Sequence, residues 1–81
     1  MVAALKDLLL YIAKHLVEKP DEVRVDAVEK EDMLVLELRV AQEDIGRVIG
    51  RGGHIAKDLR TIIRAASRET RKVHVNIIDN E

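Results

Sequence analysis

Apolar residues recur along this chain with two different periods, and the points where the period changes mark its elements. Between residues 3 and 18, Leu5, Leu8, Leu9, Ile12 and Leu16 fall at helical spacing and predict an amphipathic helix. Leu10 and Tyr11 widen its apolar face, which leaves part of that face available to a partner. Pro20 is expected to end the helix, because the residue before a proline disfavours α geometry. His15, on this helix, reads as a surface residue rather than a ligand. Residues 23–28 then alternate with period two, placing Val23, Val25 and Ala27 on one face. After a charged turn at 29–32 the alternation resumes over 33–40, with Leu34, Leu36, Leu38 and Val40 inward and Glu37 and Arg39 outward. Two such runs joined by a short turn predict a hairpin.

Helical spacing returns over 42–49, with Ile45, Val48 and Ile49 as the buried side. A glycine-rich stretch interrupts it. A longer helix is expected over about 53–68, with Ile55, Leu59, Ile62, Ile63 and Ala66 on one side. Lys57, Arg60, Arg64, Arg68 and Arg71 share the opposite side at helical spacing. Residues 73–78 read as a third strand with Val73, Val75 and Ile77 inward. The order helix, strand, strand, helix, loop, helix, strand predicts an α+β fold, three helices on one face of a three-stranded sheet. No repeat, linker or low-complexity run divides residues 1–81, which read as one domain.

Composition narrows the function classes. The chain has 81 residues, 47% of them hydrophobic, so its core is aliphatic: Tyr11 is the single aromatic. Without cysteine there is no disulfide and no thiolate metal site, which suits a reducing cytoplasm. No apolar run approaches the roughly 20 residues of a membrane span, and residues 1–7 lack the order of a signal peptide. A cytoplasmic protein is expected. The net charge is only −1, yet residues 42–72 hold eight Lys or Arg against four Asp or Glu, and the remaining residues hold six against eleven. That asymmetry predicts one electropositive face.

Catalysis finds little support. His15, His54 and His74 fall on three different predicted elements, and Ser67 is the lone serine, with no base beside it. No metal or other cofactor is expected, and no enzyme activity. The stretch 45–55 concentrates the chemistry instead. It carries all four glycines, Gly46, Gly50, Gly52 and Gly53, and runs directly into the long helix. Glycine is favoured where the backbone needs positive φ or approaches another group closely. Bare amides at a helix start, flanked by Arg47 and Arg51, suit an anion such as a phosphate. The spacing is not that of a nucleotide-binding P-loop, since the second required glycine falls at Arg51 and no Gly-Lys-Ser/Thr follows. Nor does it match the Gly-x-Gly-x-x-Gly of dinucleotide folds. The scarcity of aromatics also excludes base-stacking platforms.

At Val48-Ile49-Gly50-Arg51-Gly52-Gly53-His54-Ile55-Ala56 the sequence resembles the KH domain family, whose signature is an aliphatic pair, Gly-x-x-Gly, two spacers and another aliphatic residue. Small Ala56 stands where many relatives carry isoleucine. The helix and strand placed before the core resemble the bacterial, type II arrangement, and the resemblance implies a mixed sheet with the extra strand parallel to the last. The run 53–61 looks most like the small stand-alone bacterial members. These are cytoplasmic RNA chaperones that pair with themselves or with a larger KH-containing partner, and they are linked to cell elongation and envelope control.

By position, the resemblance implies that Gly50, Arg51, Gly52 and Gly53 contact an RNA backbone, with Arg47, His54 and Lys57 as nearby polar groups. Ile45, Val48, Ile49 and Ile55 would line or support a groove for about four nucleotides. Burial alone also accounts for those aliphatic residues. Gly46 reads as a close-packing position, and Gly52 replaces the polar or basic residue that many relatives carry. The expected activity is binding of single-stranded RNA, as a homodimer or with a larger KH partner. The competing expectation is a KH-fold module for dimerisation or protein interaction with little RNA binding of its own.

Overall fold

The computed structural model describes residues 2–79, so positions 1, 80 and 81 of the one-domain expectation lie outside the described residues. Helix α1 spans Val2–Leu16, strand β1 Arg24–Glu29, strand β2 Met33–Arg39, helix α2 Ile45–Ile49, helix α3 His54–Ala66 and strand β3 Lys72–Ile77. Short 3-10 turns occupy Pro20–Glu22, Gln42–Asp44 and Arg51–Gly53. The strands lie in the order β1-β2-β3, and the α+β arrangement is the one expected.

β1 and β2 form the antiparallel hairpin, with Val25 opposite Leu38 and Ala27 opposite Leu36. β2 and β3 pair in parallel, Leu34 with Val73, Leu36 with Val75 and Leu38 with Ile77. The extra strand, β1, is therefore antiparallel to the last strand and not its neighbour, against the expectation. The cause is connectivity. A short hairpin turn can only reverse the chain, whereas the α2–α3 crossover returns it in the same direction. The inward residues Leu34, Leu36, Leu38, Val73 and Val75 are buried and meet Leu5, Leu9, Val48, Leu59 and Ile63 from the helices. At about 25 cal/mol per Å² of apolar area, each fully buried leucine contributes roughly 2 kcal/mol.

Three features differ from the sequence expectation. α1 stops at Leu16, four residues before Pro20, because the backbone N–H groups of Glu18 and Lys19 are taken by the Asp44 carboxylate at 3.2 and 3.0 Å. Pro20 instead opens a 3-10 turn. The 42–49 segment is a turn followed by a five-residue helix, so only Val48 points fully into the core; Ile45 is half-buried and Ile49 is 37% exposed.

The third difference concerns α3. It buries Ala56, Leu59 and Ile63, while Ile62 is 43% exposed and Ala66 is exposed. Its packed face is rotated by about 50° from the expected stripe, toward Ala56. The rotation also moves the basic side chains. Arg60 and Arg64 do not point away from the sheet: their Nε groups donate to the Val75 and Val73 carbonyls of β3, each at 3.3 Å. Those carbonyls lie on an edge strand, where an arginine cover discourages pairing with another chain. Arg68 and Arg71 fall beyond the helix end.

Candidate nucleic-acid interface

The loop between α2 and α3 is built by left-handed glycines. Gly50 has φ 77° and ψ 172°, and a Cβ there would collide with Ile55 Cγ1 and lie 3.0 Å from the Ile55 nitrogen. No side chain fits that position. Gly52 has φ 65° and ψ 15°, a conformation that side chains other than glycine, asparagine and aspartate rarely adopt, although space around it is open. The extra glycine is thus explained by backbone geometry. Gly46, by contrast, has nothing within 4 Å of where a Cβ would stand and is not a close-packing position.

The chain path is pinned at both ends of the loop. Gly50 N–H donates to Gly46 O at 2.9 Å, and Gly53 N–H to Gly50 O at 3.1 Å. Among the described residues, the amides of Arg51 and Gly52 have no backbone acceptor, and α3 starts without a side-chain cap. Arg51, Gly52, His54 and Lys57 are all exposed, and Gly53 is half-buried. Arg51 makes no ion pair among the described residues. The result is an exposed turn of free N–H groups with a cation at its tip and another one turn into the helix, chemistry that accepts phosphate oxygens.

The aliphatic residues expected beside the loop separate into two kinds. Val48 is fully buried and supports the loop from below, whereas Ile49 is part-exposed and Ile45 and Ile55 are half-buried against the core. Arg47 differs from the other cations. Its guanidinium pairs with Asp44 at 3.3 Å and with Glu18 at 3.1 Å, so it faces the α1 side with its charge already engaged.

Asp44 is the residue sequence reasoning missed. It is 1% exposed, yet satisfied: it accepts from two backbone amides and forms an ion pair with Arg47. It ties the end of α1 to the start of α2, and so holds the base of the glycine loop. The available signal was an acid at a helix start with an arginine three residues on. Beside it, the hydrogen bond and charge of Lys19 hold the exposed Glu43 carboxyl below its usual range, and Glu43 raises Lys19 in return. Among the described residues no cluster of His, Asp and Glu has the makings of a metal site, and no helix is long and apolar enough to cross a membrane.

Comparison with known proteins gives a consistent result. The family model described as KhpA/KhpB, KH domain, matches residues 6–77. The chain is 53% identical over 75 residues to the RNA-binding protein KhpA of Clostridium acetobutylicum, covering 91% of this chain and 100% of that protein. It is 49% identical over 75 residues to the KhpA of Clostridium perfringens, with the same coverage. To the KhpA of Treponema pallidum it is 42% identical over 80 residues, covering 98% of this chain and 100% of that protein. No solved structure matches it.

Proposed function

Since the chain belongs to the KhpA/KhpB KH-domain family, we propose that it binds single-stranded RNA, with loop 50–53 holding the backbone and the part-exposed aliphatic side chains beside it receiving bases. The observation that carries this reading is the loop itself: left-handed glycines, with Arg51 and Gly52 exposed at the tip and, among the described residues, no backbone acceptor for their amides and no ion pair for Arg51. Its relatives are named RNA-binding proteins rather than enzymes. Arg51, Gly52, Gly53, His54 and Lys57 supply the backbone contacts; Ile49, Ile55 and Ile45 line the groove over Val48. Affinity falls steeply with added salt, because each phosphate contact releases counterions. The chain acts in the cytoplasm as an RNA chaperone of the KhpA kind, in processes tied to cell elongation and the envelope.

The double substitution Arg51→Asp with Gly52→Asp tests the site. Aspartate tolerates the left-handed backbone at 52, so the fold is expected to persist while RNA binding is lost. A variant that still binds RNA at low salt places the site elsewhere.

Pairing with a second copy or with a larger KhpB-like KH protein is part of the same proposal. One small domain touching few nucleotides gains avidity from a linked second copy. The apolar side chains left on the outer surface, Tyr11 at 65% and Ile62 at 43% exposed, favour such a contact. Analytical ultracentrifugation with and without short RNA checks it: a tight dimer indifferent to RNA favours the interaction-module reading over RNA binding.

A further inference from the structure

At the opposite end of α3 from the glycine loop, the turn into β3 encloses a groove of about 470 Å³, lined by Arg64, Ser67, Glu69, Arg71, Lys72 and His74 among others. Its walls are firmly built. Ser67 Oγ accepts the Glu69 N–H at 3.0 Å, and Arg71 binds Glu69, Glu29 at 3.3 Å and the Lys30 carbonyl at 3.2 Å. Arg71 is therefore neutralised twice and serves the wall.

Arg64 and Lys72 are different. Neither has a carboxylate partner among the described residues. Arg64 is anchored through Nε to the Val73 carbonyl, which holds its fork beside the groove and leaves the terminal nitrogens for a ligand. A planar guanidinium held in this way suits a phosphate. A cation in the last turn of α3 also offsets the helix dipole, but Lys72 lies in the strand and that account does not reach it.

The groove is in line with the loop. β3 runs antiparallel to α3, with Arg60 on Val75 and Arg64 on Val73, so the α3–β3 seam leads from one to the other. From His54 to Arg64 the helix advances about 15 Å, a span covered by about four or five nucleotides at roughly 3.4 Å per stacked step. We propose that this groove is a second phosphate subsite for the strand held at the loop, with Arg64 and Lys72 taking a phosphate some four or five nucleotides away. The inference rests on the RNA reading above and extends the footprint beyond the four nucleotides of a lone KH groove.

The test compares oligouridylates of four and twelve nucleotides, followed by NMR amide shifts and by titrated affinity, for wild type, Lys72→Gln and Arg64→Gln. A twelve-mer offers more registers, so its tighter binding to wild type decides nothing; the variants decide. Each variant is expected to weaken the twelve-mer three- to tenfold, leave the four-mer unchanged, and lower the salt slope for the twelve-mer by about 0.7. Lys72 is exposed and is the safer of the two for folding. Twelve-mer affinity equal to wild type in both variants overturns the proposal. So does an equal loss for the four-mer, which assigns these cations to the clamp, or a groove that inorganic phosphate fills without the twelve-mer reaching it. If wild type binds neither oligonucleotide, or if Arg51→Asp leaves the binding of both unchanged, the RNA reading at the loop itself fails.

Discussion

Replacing Asp44 with alanine is expected to destabilise the fold by about 2–3 kcal/mol, more than any single surface charge. The carboxylate is buried, accepts from the Glu18 and Lys19 amides at 3.2 and 3.0 Å, and forms an ion pair with Arg47 at 3.3 Å. Hydrogen bonds to a charged group contribute about 1.5–3 kcal/mol each when the donors stay dry. Here Glu18 and Lys19 are exposed residues whose amides rehydrate in part, which lowers each to about 1 kcal/mol. The half-exposed Arg47 pair adds less than about 1 kcal/mol. For a domain of this size, such a loss lowers the thermal midpoint by about 10–20 °C. Thermal and urea unfolding measure it directly. Arg47→Met is the control: it removes only the ion pairs and is expected to cost a few degrees. Asp44→Asn keeps an acceptor for one amide and should fall between. An alanine variant within about 3 °C of wild type, or one no worse than Arg47→Met, would refute the argument that the backbone amides carry the effect.

The remaining predictions concern the loop and one surface pair. Gly50→Ala is expected to destabilise by about 2–4 kcal/mol, from left-handed strain plus the collision with Ile55, whereas Gly52→Asn should stay within about 1 kcal/mol of wild type; urea midpoints separate them. The Lys19–Glu43 pair makes stability depend on pH in a signed way. Glu43 is lowered in the fold, so its contribution is present above the ordinary value of 4.5 and lost as pH falls through the folded value. Lys19 is raised, so its contribution is present below 10.5 and lost as pH rises past the folded value. The stability difference between wild type and Lys19→Met should therefore hold at neutral pH and vanish in acid; a difference that persists at pH 2 would contradict the pairing.

How far the sequence was legible is best seen along α3. Its existence and its amphipathic character follow from spacing alone, since Leu59 and Ile63 are core residues on any reading. Which neighbours join them does not. Ile55, Ile62 and Ala56 all sit near the boundary of the apolar stripe, and periodicity cannot choose among them. The sheet chose, and it turned the helix toward Ala56, left Ile62 outside and laid Arg60 and Arg64 along β3. The direction of β1 relative to β3 is set by the hairpin turn, which reverses the chain, and not by the family resemblance.

The sequence by itself determined the elements, their order, the aliphatic core and the position of the glycine loop, because those depend on local periodicity and on residues whose backbone preferences are intrinsic. It also pointed to the family, through a motif that is contiguous in the chain. Only the tertiary structure decided what depends on groups far apart in sequence. Asp44 is buried because amides some 25 residues away need its carboxylate. Gly50 is obligatory because Ile55 occupies its side-chain space. The groove at Arg64 and Lys72 exists because the α3–β3 turn is braced against the hairpin. Each of these is a contact between segments, and a contact of that kind has no period for a sequence to display.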